Sequence, residues 1–277
     1  MPKIVSKRKK GGLPAVVQGI SDVGDLEENH VALFYGKSGR GKTKTASTFP
    51  VPNLFIDINN EKGLKTVRNV PGIKVARVRS WDDFEDLYWW LKKGQNFKTI
   101  TLDQITGLQE LGVSNIRQKR SKKAGDLFSQ KNWGELSGDM KTWLGHYREL
   151  SDLYNVIFLA HERAFDTGDE DDDNDLDPSV SARVMPSVGD FVAGACDIIG
   201  QNFIRSTQVK VDGKSVNKTQ FCMRIGPHPI YVTKIRRPAE AGPLPAYIVN
   251  PSYAKLVALE RGEEIESKRK LTKKRSK

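Results

Sequence analysis

The 277 residues carry 45 basic and 34 acidic side chains, a formal net charge of +11, and 38% of them are hydrophobic. A chain of this length and apolar content buries a sizeable core, which excludes a peptide or a wholly disordered protein. Two cysteines, Cys196 and Cys222, in no metal-ligand spacing argue against a disulfide scaffold and a structural zinc site. No apolar run approaches the roughly 18 residues of a membrane span. We therefore expect a cytoplasmic protein with no membrane partner.

The basic excess lies at the two ends of the chain. Residues 1–12 carry five basic groups and residues 267–277 carry seven, with no acid in either segment, which leaves 33 basic and 34 acidic groups between them. We predict two disordered basic arms around one folded domain, residues 13–266, which contains an acidic mobile loop over 166–180. Such arms attract polyanions through counterion release, which indicates nucleic acid as a partner. A solubilising or localisation tail is the alternative.

Strand and helix patterns alternate along this body. The predicted strands cover residues 31–35, 54–58, 73–78, 99–103 and 156–160, and the predicted helices cover 44–48, 81–93, 106–118 and 133–153. This alternation predicts an α/β fold with a mostly parallel central sheet flanked by helices. Further strand patterns over 203–210, 218–224 and 230–235, with a hairpin signal at 212–213, predict an antiparallel β extension near the C-terminus.

Four tryptophans could either stack on nucleic-acid bases or pack in the core: Trp89, Trp90, Trp133 and Trp143. Aromatic rings stack on bases in proteins that bind single strands. At helical spacing among other apolar residues, however, such side chains more often belong to a core. We predict a core position for them and leave them out of the site.

The segment after the first strand matches the phosphate-binding pattern G-x-x-x-x-G-K-[ST] at every required position. It consists of Gly36, Lys37, Ser38, Gly39, Arg40, Gly41, Lys42 and Thr43, and Lys44 follows. Glycines let successive backbone N–H groups point inward around an anionic triphosphate. Lys42 is predicted to reach the β- and γ-phosphates, and Thr43 is predicted to ligate Mg²⁺. The sequence therefore predicts ATP and Mg²⁺ as ligands.

Three polar residues near predicted strand ends complete this site. Asp103 ends a strand and is predicted to be the second Mg²⁺ contact. Glu61, after the second strand, is predicted to orient or deprotonate the attacking water, although it also suits the first turn of a helix. His161 ends the strand over 156–160, where it is predicted to face the γ-phosphate; a hydrogen-bonded structural histidine is the alternative.

Together these segments resemble the RecA-like core of P-loop ATPases, in particular small AAA-type phage nucleotide-binding proteins of single-strand annealing and recombination. The matching pieces are residues 36–43, 54–57, 99–103 and 155–161, and the similarity runs from about 31 to 237. The resemblance implies a RecA-like P-loop NTPase, a DNA-dependent ATPase that assembles on single-stranded DNA during phage recombination or replication in the host cytoplasm. The resemblance also implies a phage single-strand binding protein as a partner of this chain. In the family the catalytic glutamate usually stands where this chain has Asn59, so Glu61 can replace it only if the turn is longer, which predicts slow or absent hydrolysis.

The resemblance also implies a homo-oligomer, a ring or a filament, with the nucleotide between subunits. Residues 231–237 resemble the strand that supplies a basic group to the neighbour's γ-phosphate, and Lys234 and Arg236 are predicted to project from one face of it. A solvated basic edge strand is the alternative. The predicted DNA-facing segment contains Arg117, Lys119, Arg120, Lys122 and Lys123.

Two other functions fit the same motifs. One is a P-loop phosphotransferase acting on a small molecule, with residues 117–123 as a basic lid over the phosphates. The other is a nucleotide-gated DNA-binding or scaffold protein with little turnover. DNA-stimulated phosphate release distinguishes the ATPase from this second alternative.

Overall fold

The computed structural model describes residues 29–59, 63–120, 126–165, 179–211 and 214–265. Its strands are β1 (Val31–Tyr35), β2 (Asn53–Ile58), β3 (Ile73–Val78), β4 (Thr99–Asp103), β5 (Asn155–Ala160), β6 (Glu162–Phe165), β7 (Ser179–Ala182), β8 (Ile198–Val211), β9 (Lys214–Arg224), β10 (Lys234–Ile235) and β11 (Ile248–Val249). Its α-helices are α1 (Lys42–Ala46), α2 (Trp81–Leu91), α3 (Ile105–Lys119), α4 (Gln130–Glu149), α5 (Pro186–Ala195) and α6 (Tyr253–Glu260). Short 3₁₀ helices cover Gly63–Val67 and Leu150–Asp152. The predicted basic arms and residues 166–178 of the predicted acidic loop lie outside the described residues, and its last two residues, Ser179 and Val180, belong to β7.

One large sheet organises the described part of the chain. Its strand order is β11-β9-β8-β1-β5-β4-β2-β3, with β10 beside β8. The pairs from β8 through β1, β5, β4 and β2 to β3 are all parallel, whereas β9, β10 and β11 join antiparallel. Strands β6 and β7 form a separate antiparallel hairpin. The predicted α/β fold, with a mostly parallel sheet and an antiparallel extension, is confirmed.

The alternation of side chains along β1 divides the core into two layers. Leu33 and Tyr35 face one side, where they pack in a cluster with buried residues of α2, α3, α4 and α5. Ala32 and Phe34 face the other side, where α1 and α6 cover the sheet. Both faces of the strand are buried, as is typical of a parallel sheet between helices. Within the described residues, no helix is both long enough and apolar enough to cross a bilayer.

The prediction that the tryptophans lie in the core is wrong for three of the four. Trp89, Trp90 and Trp133 are 51%, 43% and 40% exposed. The buried stripe of α2 consists of Trp81, Phe84, Tyr88 and Leu91. Positions 89 and 90 follow Tyr88 directly and therefore turn away from that stripe. Trp143 is partly buried and packs against the core.

The prediction of one strand over residues 230–235 is also wrong in its extent. Only Lys234 and Ile235 form a strand, paired with β8, while Tyr231 makes an isolated bridge to Val180 of β7. The segment therefore passes from β7, in the two-stranded sheet, to β8, in the large sheet.

Candidate nucleotide-binding site

The loop over residues 36–41 joins β1 to α1 and is packed closely against β8 and β9. A Cβ atom at Gly36 would lie 2.4 Å from the backbone oxygen of Asn202. Gly41 precedes α1 with φ 85°, and a Cβ there would lie 3.0 Å from the ring of Phe221. Glycine is therefore required at both positions, at the first by the close approach and at the second also by the left-handed backbone.

Lys42 places its ammonium group against the backbone of this loop. Its Nζ donates hydrogen bonds to the carbonyl oxygens of Gly36, at 2.9 Å, and Lys37, at 3.2 Å. The residue is only 7% exposed. A phosphate oxygen is a stronger partner for an ammonium group than a neutral carbonyl oxygen, so a phosphate at this place would attract Lys42 away from the loop carbonyls.

The two predicted metal ligands are in direct contact. The hydroxyl of Thr43 donates to Oδ2 of Asp103 at 3.3 Å, and Asp103 is 4% exposed at the end of β4. The chain passes close by at Gly63, where a Cβ would lie 3.5 Å from Oδ2 of Asp103 and 3.7 Å from Oγ1 of Thr43. Over the described residues, no group of three or more His, Cys, Asp or Glu side chains could hold a metal. A hydroxyl and one carboxylate fit Mg²⁺, which commonly takes one or two protein oxygens and completes its shell with phosphates and water.

His161 lies at the end of β5, next to β4, and contacts a residue that the sequence analysis missed. Its Nε2 is 3.0 Å from Nε2 of Gln104, and its backbone N–H donates to Oγ1 of Thr106. This contact joins the polar ends of β4 and β5 next to the Thr43–Asp103 pair. The available signal for Gln104 was a polar residue directly after Asp103.

A second polar row, also missed from sequence, begins beside the loop and crosses to β9. Glu162 Oε1 is 4.0 Å from the Lys37 ammonium, and its Oε2 accepts from Gln201 at 2.9 Å. Arg224 donates to Oε1 of Gln201 at 2.6 Å, and its guanidinium lies 4.0 and 4.3 Å from the ring centroids of Phe203 and Tyr231. These residues come from the loop, from β6, β8 and β9 and from the segment after β9, so no local pattern marks them as neighbours.

The predicted basic residues Lys234 and Arg236 bind within their own chain. Lys234 Nζ donates to the carbonyl of Ala193 at 2.6 Å, and Arg236 donates to Gly194 and, at 2.7 Å, to Asp197. Burial and the neighbouring Arg236 charge lower the pKa of Lys234. Both side chains lie at the end of α5, whose last carbonyls they help to satisfy. None of these partners belongs to the loop over 36–43.

The predicted DNA-facing residues lie at the far end of α3 from the site. Arg117, Lys119 and Arg120 belong to its last turn or follow it. Arg120 pairs with Glu135, and Arg117 donates to the carbonyl of Asp126. The helix starts beside His161 and has 15 residues, so its ends are about 22 Å apart. Lys122, Lys123 and the predicted catalytic Glu61 lie outside the described residues.

Comparison with known proteins gives one informative result. A family model described as an AAA domain matches residues 28–237, more than half of the chain. The matched range contains the loop, Asp103 and His161, and it ends just after Lys234 and Arg236. The comparison with curated proteins gives no match.

Proposed function

The chain belongs to the AAA-domain family, and from this premise we propose that it binds Mg·ATP, hydrolyses it, and assembles on single-stranded DNA. The observation that carries nucleotide binding is the 3.3 Å contact between Thr43 and Asp103 next to the loop that holds Lys42. These groups supply a cation and two metal-binding oxygens within one short stretch of the sheet edge. That is the combination a triphosphate with Mg²⁺ requires.

Each of these residues has a defined task in the proposal. Mg²⁺, when bound, neutralises charge on the β- and γ-phosphates. Thr43 and Asp103 hold the metal, and Lys42 exchanges its two loop carbonyls for phosphate oxygens. The close fit of Gly36 and Gly41 against β8 and β9 keeps the loop in the shape that lets its amides point inward.

Hydrolysis needs a group that orients or deprotonates a water. We assign this role to Glu61, and we assign contact with the γ-phosphate to His161. The contact with Gln104 supports the second assignment, because it holds the ring at the end of β5, beside the strand end that carries Asp103. Gln104 is then a positioning residue for His161.

The DNA and assembly parts of the proposal rest on charge and on the resemblance to phage annealing and recombination ATPases. Basic groups at both ends of the chain and over residues 117–123 would track a phosphate backbone without reading its sequence. Lys234 and Arg236 would reach a neighbour's nucleotide only by exchanging their partners at the end of α5.

The test is phosphate release from Mg·ATP, with and without single-stranded DNA at one fixed salt concentration. We expect DNA to stimulate turnover in the wild type and in a matched control, Lys74→Ala, an exposed lysine of β3. Lys42→Ala should lose both binding and turnover, whereas Glu61→Gln should bind ATP without turning it over. Nucleotide binding without wild-type turnover would instead indicate the nucleotide-gated DNA-binding or scaffold protein. Phosphate transferred to a small acceptor would identify a phosphotransferase.

A further inference from the structure

The metal-binding pair beside the loop determines the orientation in which a triphosphate would bind. The metal-binding pair joins Thr43 of α1 to Asp103 of β4, and β4 lies beyond β5 on one side of β1. That side therefore takes the β- and γ-phosphates, with Lys42. Strands β8 and β9 lie on the other side of β1. The nucleoside end of the ligand then leaves the loop toward β8 and β9.

Phe221 of β9 stands at this exit. It shares the face of β9 with Met223, which packs in the α1 layer of the core and is fully buried. Phe221 is only partly buried. Its ring lies 3.0 Å from the place of a Cβ on Gly41, and the ammonium of Lys44 is 5.6 Å from its centroid. An aromatic face and a cation thus converge beside the start of α1.

We propose that Phe221 is the base platform of this site, on which the nucleobase of a nucleoside triphosphate stacks while the phosphates occupy the loop. This inference rests on the nucleotide binding proposed above and adds the residue that holds the base. Aromatic rings stack on every nucleobase, so the platform distinguishes a nucleotide from an inorganic phosphate chain rather than one purine from another. Lys44 lies over the same ring and contributes charge where the phosphate nearest the nucleoside leaves the loop.

Phe221 also packs against Gly41, so its variants must separate stacking from support of the loop. Phe221→Leu keeps an apolar side chain of similar size against Gly41 and removes the aromatic face. Phe221→Trp keeps an aromatic face. Lys42→Ala serves as the comparator that removes a phosphate contact.

The experiment is calorimetric titration of the full chain with Mg·ATP and, separately, with Mg²⁺ and inorganic tripolyphosphate. We expect Phe221→Leu to weaken ATP binding by about 5- to 150-fold, as the loss of one base stack does. Tripolyphosphate binding should stay within about twofold, and Phe221→Trp should retain ATP binding. Lys42→Ala should weaken both ligands.

Several results would overturn the base platform. Equal weakening of ATP and tripolyphosphate in Phe221→Leu would show that the ring only supports the loop. Unchanged ATP binding in this variant, or wild-type binding of tripolyphosphate as tight as that of ATP, would remove the platform and leave the phosphate loop standing. A wild type that binds neither ligand would refute the proposed function itself, and the platform with it.

Discussion

The ring of His161 contacts the side-chain amide of Gln104 across the ends of the neighbouring strands β5 and β4, with the two Nε2 atoms 3.0 Å apart. Gln104 is 6% exposed and directly follows Asp103, the predicted metal ligand. The metal pair and the histidine are therefore adjacent along one sheet edge. A shift of either strand end would therefore move both the metal-binding pair and His161.

Removing this pair should reduce turnover more than binding. We expect His161→Ala and Gln104→Ala each to lower ATP turnover by roughly tenfold or more while the dissociation constant for ATP changes by less than about threefold. If the two act as a unit, the double variant should be no worse than the more damaging single one. Additive losses would show that Gln104 does not position His161.

Asp103→Asn should remove the dependence of ATP affinity on Mg²⁺. The amide keeps the shape of the side chain and loses the charge, so we expect the affinity for ATP in the presence of Mg²⁺ to fall by about 10- to 100-fold. Titration with ATP in Mg²⁺ and in a chelator measures the effect. The matched control is Asp152→Asn, at an exposed acid of the Leu150–Asp152 turn. Equal affinities of Asp103→Asn and wild type in Mg²⁺ would exclude Asp103 from the metal site.

Gly36→Ala should destabilise the fold, because the added methyl would lie 2.4 Å from a backbone oxygen that cannot move without disturbing β8. We expect a loss of about 1–3 kcal/mol in the free energy of unfolding. Gly138→Ala is the control of opposite sign, since Gly138 lies within α4 with nothing within 4 Å of the new Cβ. There we expect a gain of up to about 1 kcal/mol. Urea unfolding measures both, and a neutral Gly36→Ala would contradict the tight fit of the loop.

His30 and Glu260 should make stability depend on pH. Burial lowers the pKa of His30, but its hydrogen bond to Glu260 at 2.6 Å, that carboxylate's charge, Asn155 and Asp197 outweigh burial and raise the pKa above 6.5. Both ring nitrogens face acceptors, Glu260 and Asn155, which only the charged ring satisfies together. The stabilisation is therefore complete below pH 6.5 and is lost as the pH rises through the raised pKa.

The measurement is the free energy of unfolding in urea of wild type and Glu260→Gln between about pH 5 and pH 9, where a glutamate carboxylate is charged. We expect the wild type to be more stable by about 1 kcal/mol near pH 5.5 and the difference to shrink as the pH rises through the raised pKa of His30. A difference that stays constant with pH would show that the pair contributes no proton linkage.

The regular part of the fold was predictable because its signals are local. Mostly apolar runs marked β1, β2 and β5, and alternating Thr and apolar residues marked β4. Asp103 ends β4 and His161 follows β5, as predicted. The motif over 36–43 also located the loop between a strand and a helix. The exposure of Trp89 and Trp90 follows from the helical period, because both lie off the buried stripe of their helix. The prediction of a core position for them considered their hydrophobicity and not their helix face.

Contacts between segments that are far apart in the sequence could not be predicted from local patterns. Arg224 contacts Gln201 through the register of β8 and β9. Phe221 contacts Gly41 because β9 is next to β8 in the sheet and the side chain of Phe221 is on the face that α1 covers. Strand order and register decide such neighbours, and neither is written in a local pattern. The partners of Lys234 and Arg236 at the end of α5 are a further case.

The position of β1 between β5 and β8 has a consequence for synthesis of the chain on the ribosome. Its five residues are all buried, yet its first neighbour starts about 125 residues later, the separation of His30 and Asn155. At about 5–20 residues per second, this interval lasts roughly 6–25 seconds. Throughout that time the nascent chain exposes an unpaired apolar strand. Chaperone binding and aggregation compete for segments of this kind.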